Sequence, residues 1–238
     1  MRNIFAIIKK ELKIYFNSPI AYIFLVVFLL ISSMMFFMDF FLLGRAEMRY
    51  FFEWLPIIFI PFIPAVTMRL WAEEKKQGTI ELLLTLPIKD IEVVIGKYAA
   101  TSLFILLSLV LTFSIPLILG ILGNPDWGVI FTSYFGSFLL AISLIAIGMT
   151  ISIFTSNQII AWILSTAVFF ILLLIGFPFF LNYTPEFLIN FFENLGFMSH
   201  YRSFIIGVID SSDIIYYLSL ISLFLLINVI KLDSRRYR

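Results

Sequence analysis

One histidine, His200, and no cysteine make up the whole supply of soft metal ligands and strong nucleophiles in 238 residues. A structural or catalytic zinc site takes three or four His, Cys or carboxylate ligands together, and a disulfide or thiolate mechanism needs cysteine. His200 has neither a Cys nor a second His to complete such a set, so it reads as part of a structured outer loop. Gly96-Lys97 resembles the end of a phosphate-binding loop, but that loop requires a glycine five positions before Gly96 and Ser or Thr after the lysine. Ile91 and Tyr98 occupy those places. The chain is therefore expected to bind no ATP by a P-loop, to hold no metal or cofactor of its own and not to be an enzyme.

Charge is concentrated instead in one connection, from Arg69 to Pro87, between two apolar stretches. Gly78 offers a helix break, Thr79 is placed to cap a new helix, Glu81 sits in that helix's positive first turn, and Pro87 stops it. The expectation is a helix of about two turns. Its Ile80, Leu82, Leu83 and Leu84 form more apolar surface than an isolated turn leaves in water, so it must dock either on its own membrane domain or in a partner. Glu73 and Glu74 immediately precede the break. Their chemistry is charge-assisted contact that relays motion between two helices, the alternative being a pair of solvated charges.

The elements that hold this connection are membrane helices. Hydrophobic residues make up 62% of the sequence and charged residues 13%, with a mean hydropathy of +1.07. A spanning helix takes about 20 apolar residues, so the chain accommodates about six and no separate soluble domain. The apolar stretches fall at about 20–42, 51–71, 93–122, 129–154, 159–181 and 213–230. Their length and lack of alternation exclude a barrel. Pro56, Pro61 and Pro64 predict a bent or broken second span. Span four spaces Ser133, Ser137 and Ala141, then Gly148 and Ser152, four apart, a pattern that admits a close neighbour from this chain or another copy. Residues 1–17 read as an amphipathic helix on the membrane surface, with Phe5, Ile8, Leu12 and Tyr15 on one side and Lys9, Lys10 and Lys13 towards another. Residues 182–212 form the outer loop, where Phe187, Leu188 and Phe191 share a helical face suited to a re-entrant helix.

Of the 16 Lys and Arg residues, thirteen lie in the termini and the even-numbered connections and three in the odd-numbered ones. The positive-inside rule places both termini in the cytoplasm of a multi-pass protein of the cell (inner) membrane. The chain is in contact with membrane lipid, and nothing in it suggests a nucleic-acid partner.

The run Trp71 to Ile88 (WAEEKKQGTIELLLTLPI) resembles the cytoplasmic loop of type 2 ABC exporter permeases, where a charged connecting helix leads into a coupling helix. Lys10 to Tyr22 (KELKIYFNSPIAY) and Ser199 to Tyr217 (SHYRSFIIGVIDSSDIIYY) are similar to gliding-motility and nitrous-oxide-reductase-associated permeases. The resemblance implies an all-α membrane protein of six transmembrane helices with an N-terminal elbow helix, a cytoplasmic coupling segment at 72–88 and a re-entrant outer segment. It implies docking of residues 79–86 on a separate cytosolic ATP-binding cassette subunit, which binds ATP and Mg. It also implies a second permease chain, identical or homologous, and an outer gate around Phe187, Phe191, His200, Phe204, Gly207 and Asp210, the alternative for these residues being a surface loop with aromatic anchors at headgroup level. An ion-coupled carrier is disfavoured, because Asp39, Glu53, Lys97 and Asp213 fall near span ends and the interiors of spans three to six offer hydroxyls and glycines only. A membrane scaffold that transmits force without cargo is the remaining alternative.

Overall fold

The computed structural model describes residues 2–43, 47–85, 87–176 and 185–236. The described residues are almost entirely helical, with no strand among them. The helices are α1 (Arg2–Asn17), α2 (Pro19–Leu43), α3 (Arg49–Thr67), α4 (Arg69–Lys76), α5 (Thr79–Thr85) and α6 (Asp90–Thr112). They continue with α7 (Ser114–Leu122), α8 (Trp127–Phe154), α9 (Gln158–Ile175), α10 (Glu186–Leu195), α11 (Phe197–Ile205) and α12 (Ser211–Arg236). Six stretches are long and apolar enough to cross a membrane: Pro19–Leu42, Arg49–Lys76, Asp90–Ile121, Trp127–Phe154, Gln158–Ile175 and Ser211–Ser234. These match the six expected from composition. Below, "the terminal end" of the bundle is the one carrying both chain termini.

Helix α8 is the hub, packed on α3, α4, α6, α9, α11 and α12. Its small residues make that possible, because lipid tails give no apolar driving force between helices and close approach must supply the packing. A side chain at Gly136 would collide with Phe204 of α11, and one at Gly148 with Thr67 at the end of α3. The stripe of small residues therefore receives neighbours from its own chain.

Pro56, Pro61 and Pro64 all lie inside α3, which runs unbroken from Arg49 to Thr67. Pro56 lacks the N–H that would bind the carbonyl of Phe52, and the Tyr201 hydroxyl donates to that carbonyl at 3.0 Å. A single residue, Met68, separates α3 from α4. Span three, expected as one stretch over 93–122, is divided at Phe113, where Pro116 in the next turn leaves the Thr112 carbonyl without a helical donor. Span five is described to Gly176, and the remainder of its expected range lies outside the described residues.

The N-terminal helix differs from its expected arrangement. Ile7, Glu11 and Tyr15, spaced four apart, turn inward, while Phe5 is 71% exposed. The face with the longest apolar side chains is thus not the whole of the packed face, since Glu11 is buried among the helices.

Candidate functional site

At the terminal end, three helices meet around one lysine. Lys97 on α6 is buried and donates from Nζ to Glu11 Oε1 on α1 and to Glu74 Oε1 on α4, each at 2.8 Å. Lys10 Nζ lies 3.8 Å from the same Glu74 oxygen. The Lys97 ammonium also sits over the ring of Trp71, 5.1 Å from its centroid. The preceding residue explains how α1 comes so near: a Cβ at Gly96 would lie 2.6 Å from Ile7 Cγ2, so only glycine admits this approach. Gly96-Lys97 thus packs and pairs α1 where it had looked like a fragment of a phosphate loop. An ion pair this buried is a poor source of stability against apolar residues of equal volume, but losing one partner leaves an uncompensated charge.

One turn further along α1, Tyr15 donates to the Val66 carbonyl at 3.2 Å and lies 3.3 Å from Thr101 Oγ1. Arg69 stacks on its ring at 3.9 Å from the centroid. Burial pushes the Tyr15 hydroxyl above its ordinary pKa, although the Arg69 charge and the Thr101 hydrogen bond pull the other way.

Helix α4 is anchored to α8 at both ends. Ser152 Oγ accepts from the backbone N–H groups of Trp71 and Ala72, both at 3.2 Å, and donates to Met68 O at 2.8 Å, so an α8 side chain caps the start of α4. Lys75 donates to the carbonyls of Ile153 and Thr155 at the end of α8, where a cation also meets the negative end of the helix dipole. The chain then breaks at Gly78, which has φ +69°. The Thr79 hydroxyl donates back to the Glu74 carbonyl at 3.3 Å, closing the end of α4 instead of capping α5 as expected.

The two glutamates part company here. Glu74 joins the buried cluster, whereas Glu73 accepts from Gln77 Nε2 at 3.2 Å and from no other side chain among the described residues. Ile80 turns inward against Leu70, Trp71, Val93 and Ile153. Glu81 is exposed. The side chains of Leu82, Leu83 and Leu84 lie outside the described residues.

At the opposite end, residues 186–205 fold into α10 and α11. The buried one is α11, inserted against α8 by Phe197, Met198, Tyr201, Phe204 and Ile205. Phe204 is fully buried, and its carbonyl accepts from Thr132 and Ser133 at 3.1 and 3.2 Å. Tyr201 links Ser137 Oγ, at 2.7 Å, to the Phe52 carbonyl, and burial raises its pKa. His200 Nδ1 lies 2.7 Å from Asp213 Oδ1 and Nε2 3.1 Å from the Asn194 carbonyl, with the ring stacked on Tyr216 at 3.9 Å. Gly207 ends this turn with φ +88°, and Asp210 Oδ1 accepts from the Ser212 N–H at the start of α12. Phe191 is 60% exposed, so on α10 the expected apolar face leaves this ring uncovered; the Phe187 side chain lies outside the described residues.

Sequence reasoning passed over Glu11 and Asn228, and it named Tyr15, Arg69 and Lys97 without foreseeing the contacts they make. Asn228, wholly buried in span six, donates to Thr150 Oγ1 at 2.6 Å, so the interiors of spans three to six hold an amide as well as hydroxyls. A signal existed for Lys97, a charge inside an otherwise apolar run, but none announced its partners, which lie 86 and 23 residues away.

No curated protein matches the chain. The model of a family described as ABC-2 family transporter protein matches residues 5–230. With that match running through the elbow helix, the Glu11–Lys97–Glu74 cluster and all six spans, the chain belongs to the ABC-2 family of transporter membrane proteins.

Proposed function

We propose that this ABC transporter permease subunit works as half of an exporter, driven through α5 by a separate cytosolic ATPase that binds ATP and Mg. One observation carries the reading: Glu74 touches both sides of the joint. Its carboxylate is held by Lys97, and through Lys97 it meets Glu11, while its carbonyl receives the Thr79 hydroxyl at the start of α5. A push on α5 displaces Glu74, and the 2.8 Å contacts carry that displacement to span three and the elbow helix. Charge-assisted bonds are short and directional, which suits a relay. A chain of six spans is small for enclosing a pathway, so two permease chains and two ATPases form the working assembly. The outer helix α11, held by Tyr201 and Phe204, is the element that closes its far side. We place the chain in the gliding-motility and nitrous-oxide-reductase-associated group on the similarity of residues 199–217.

The test is affinity purification in mild detergent with identification of copurifying chains. An ATP-binding subunit is expected with the unaltered permease. Leu83→Asp should leave the permease in the membrane and detach that subunit, because an aspartate at an apolar contact is desolvated without a partner. Unchanged copurification would reject α5 as the contact, and ATP-dependent accumulation of cargo inside inverted vesicles distinguishes export from transmission of force without cargo.

A further inference from the structure

A cavity of about 230 Å³ opens between α1, the first turn of α2 and the joint of α3 with α4. Apolar side chains, Ile14, Ile20, Phe24 and Phe104, line much of it, and Arg69 and Glu73 supply opposite charges. These two stand one helical turn apart, the i,i+4 spacing at which such residues pair on a helix surface. They do not pair. The Arg69 guanidinium lies over the Tyr15 ring and has no carboxylate partner among the described residues; its Nη2 is shut off from solvent without a hydrogen-bond acceptor. Glu73 accepts from a neutral amide, Gln77, and meets no cation among the described residues. Two helix starts face the same space, Ser18 to Ala21 of span one and Gln158 of α9. The N–H groups of Ser18 and Ala21 are bonded to Tyr15 O and Ser18 O, and the dipoles of the two helix starts add positive potential on the side of Arg69.

We infer that this cavity binds the headgroup of a phosphoethanolamine lipid. The phosphate sits against Arg69 and the first turn of α2, the primary ammonium against Glu73, and the acyl chains leave along Ile20 and Phe24. The volume is below that of a site enclosing a whole drug-sized molecule, and it suits a headgroup whose tails remain in the bilayer. The separated charges set the selectivity. A phosphoglycerol headgroup brings no cation to Glu73, and a quaternary choline brings a cation without an N–H to donate. This inference is independent of the exporter reading, since the lipid is recognised whether or not it is cargo.

The test uses the full chain in nanodiscs containing equal amounts of phosphatidylethanolamine, phosphatidylglycerol and phosphatidylcholine, re-extracted into detergent, with the retained lipids quantified by mass spectrometry. The unaltered protein should retain phosphatidylethanolamine about tenfold over the other two, the effect of one charge-assisted hydrogen bond. Glu73→Gln, a change at a half-buried rim position outside the ion-paired cluster, should erase that preference while lipid phosphate is still held. Arg69→Gln should lower retention of all three classes about tenfold. Soluble O-phosphoethanolamine should bind at least about tenfold more weakly than the lipid, since it lacks the apolar contacts; equal binding would make a soluble phosphoester the ligand and overturn the lipid. Retention in the ratio supplied, or a selectivity unchanged by Glu73→Gln, would overturn the site.

Discussion

Lys97 is where a single side chain decides most. It is 2% exposed and answers two carboxylates from helices remote in sequence. Replacing it by methionine keeps the volume and removes the charge, leaving Glu11 and Glu74 to face each other in a closed space. Lys97→Met is therefore expected to lower stability by about 3 kcal/mol or more, the usual result of removing one partner of a buried pair. Glu73→Gln, which removes a charge that binds no cation among the described residues, should change stability by less than about 0.5 kcal/mol. Thermal unfolding of both variants in the same detergent checks the contrast. Equal effects would mean that the cluster is hydrated and contributes little. The comparison also separates two adjacent glutamates that are indistinguishable as letters: the helix turns them to different neighbours, one to Lys97 and one to the cavity beside Arg69.

At the level of elements, the joint between α4 and α5 depends on backbone conformation at Gly78. Its φ of +69° lies in the left-handed region, and no atom stands within 4 Å of where a Cβ would project. Space is thus available, and only the backbone restricts the position. Gly78→Ala should cost about 1 kcal/mol, whereas Gly78→Asn, which tolerates this region, should cost clearly less. Unfolding midpoints of the two variants measure this, and equal losses would show that the side chain and not φ is at fault. This break was legible in the sequence, as were the six spans and the close-packing stripe on span four, because each follows from local composition or spacing. The partner of each polar group was not legible. Thr79 faces back to Glu74 instead of forward, Ser152 caps a helix 80 residues away, and the outer segment buries α11 while Phe191 of α10 stays exposed. These depend on which helices touch, and hydrophobic periodicity cannot rank neighbours in a chain whose helices are apolar on nearly every side.

For the whole molecule, both ends of the chain and the α4–α5 joint share one end of the bundle, and from the distribution of Lys and Arg we propose that this end is cytoplasmic. Thirteen of the 16 basic residues belong to that side, an imbalance that orients membrane proteins because positive loops resist translocation. The absence of native cysteine makes this directly testable, since any single introduced thiol is the only one present. Asn124 and Asn194 are exposed at the end opposite the termini, and Gln77 and Ser234 are exposed at the terminal end. Asn124→Cys and Asn194→Cys should react in intact cells with a membrane-impermeant thiol reagent. Gln77→Cys and Ser234→Cys should react only after the membrane is opened. Labelling in the reverse pattern would place α5 outside the cell, away from any ATP-binding subunit, and would remove the exporter reading together with the orientation. Labelling of all four sites in intact cells would mean that the thiols are reached from both sides, through a pathway open across the bundle, and would contradict α11 as a closed outer element.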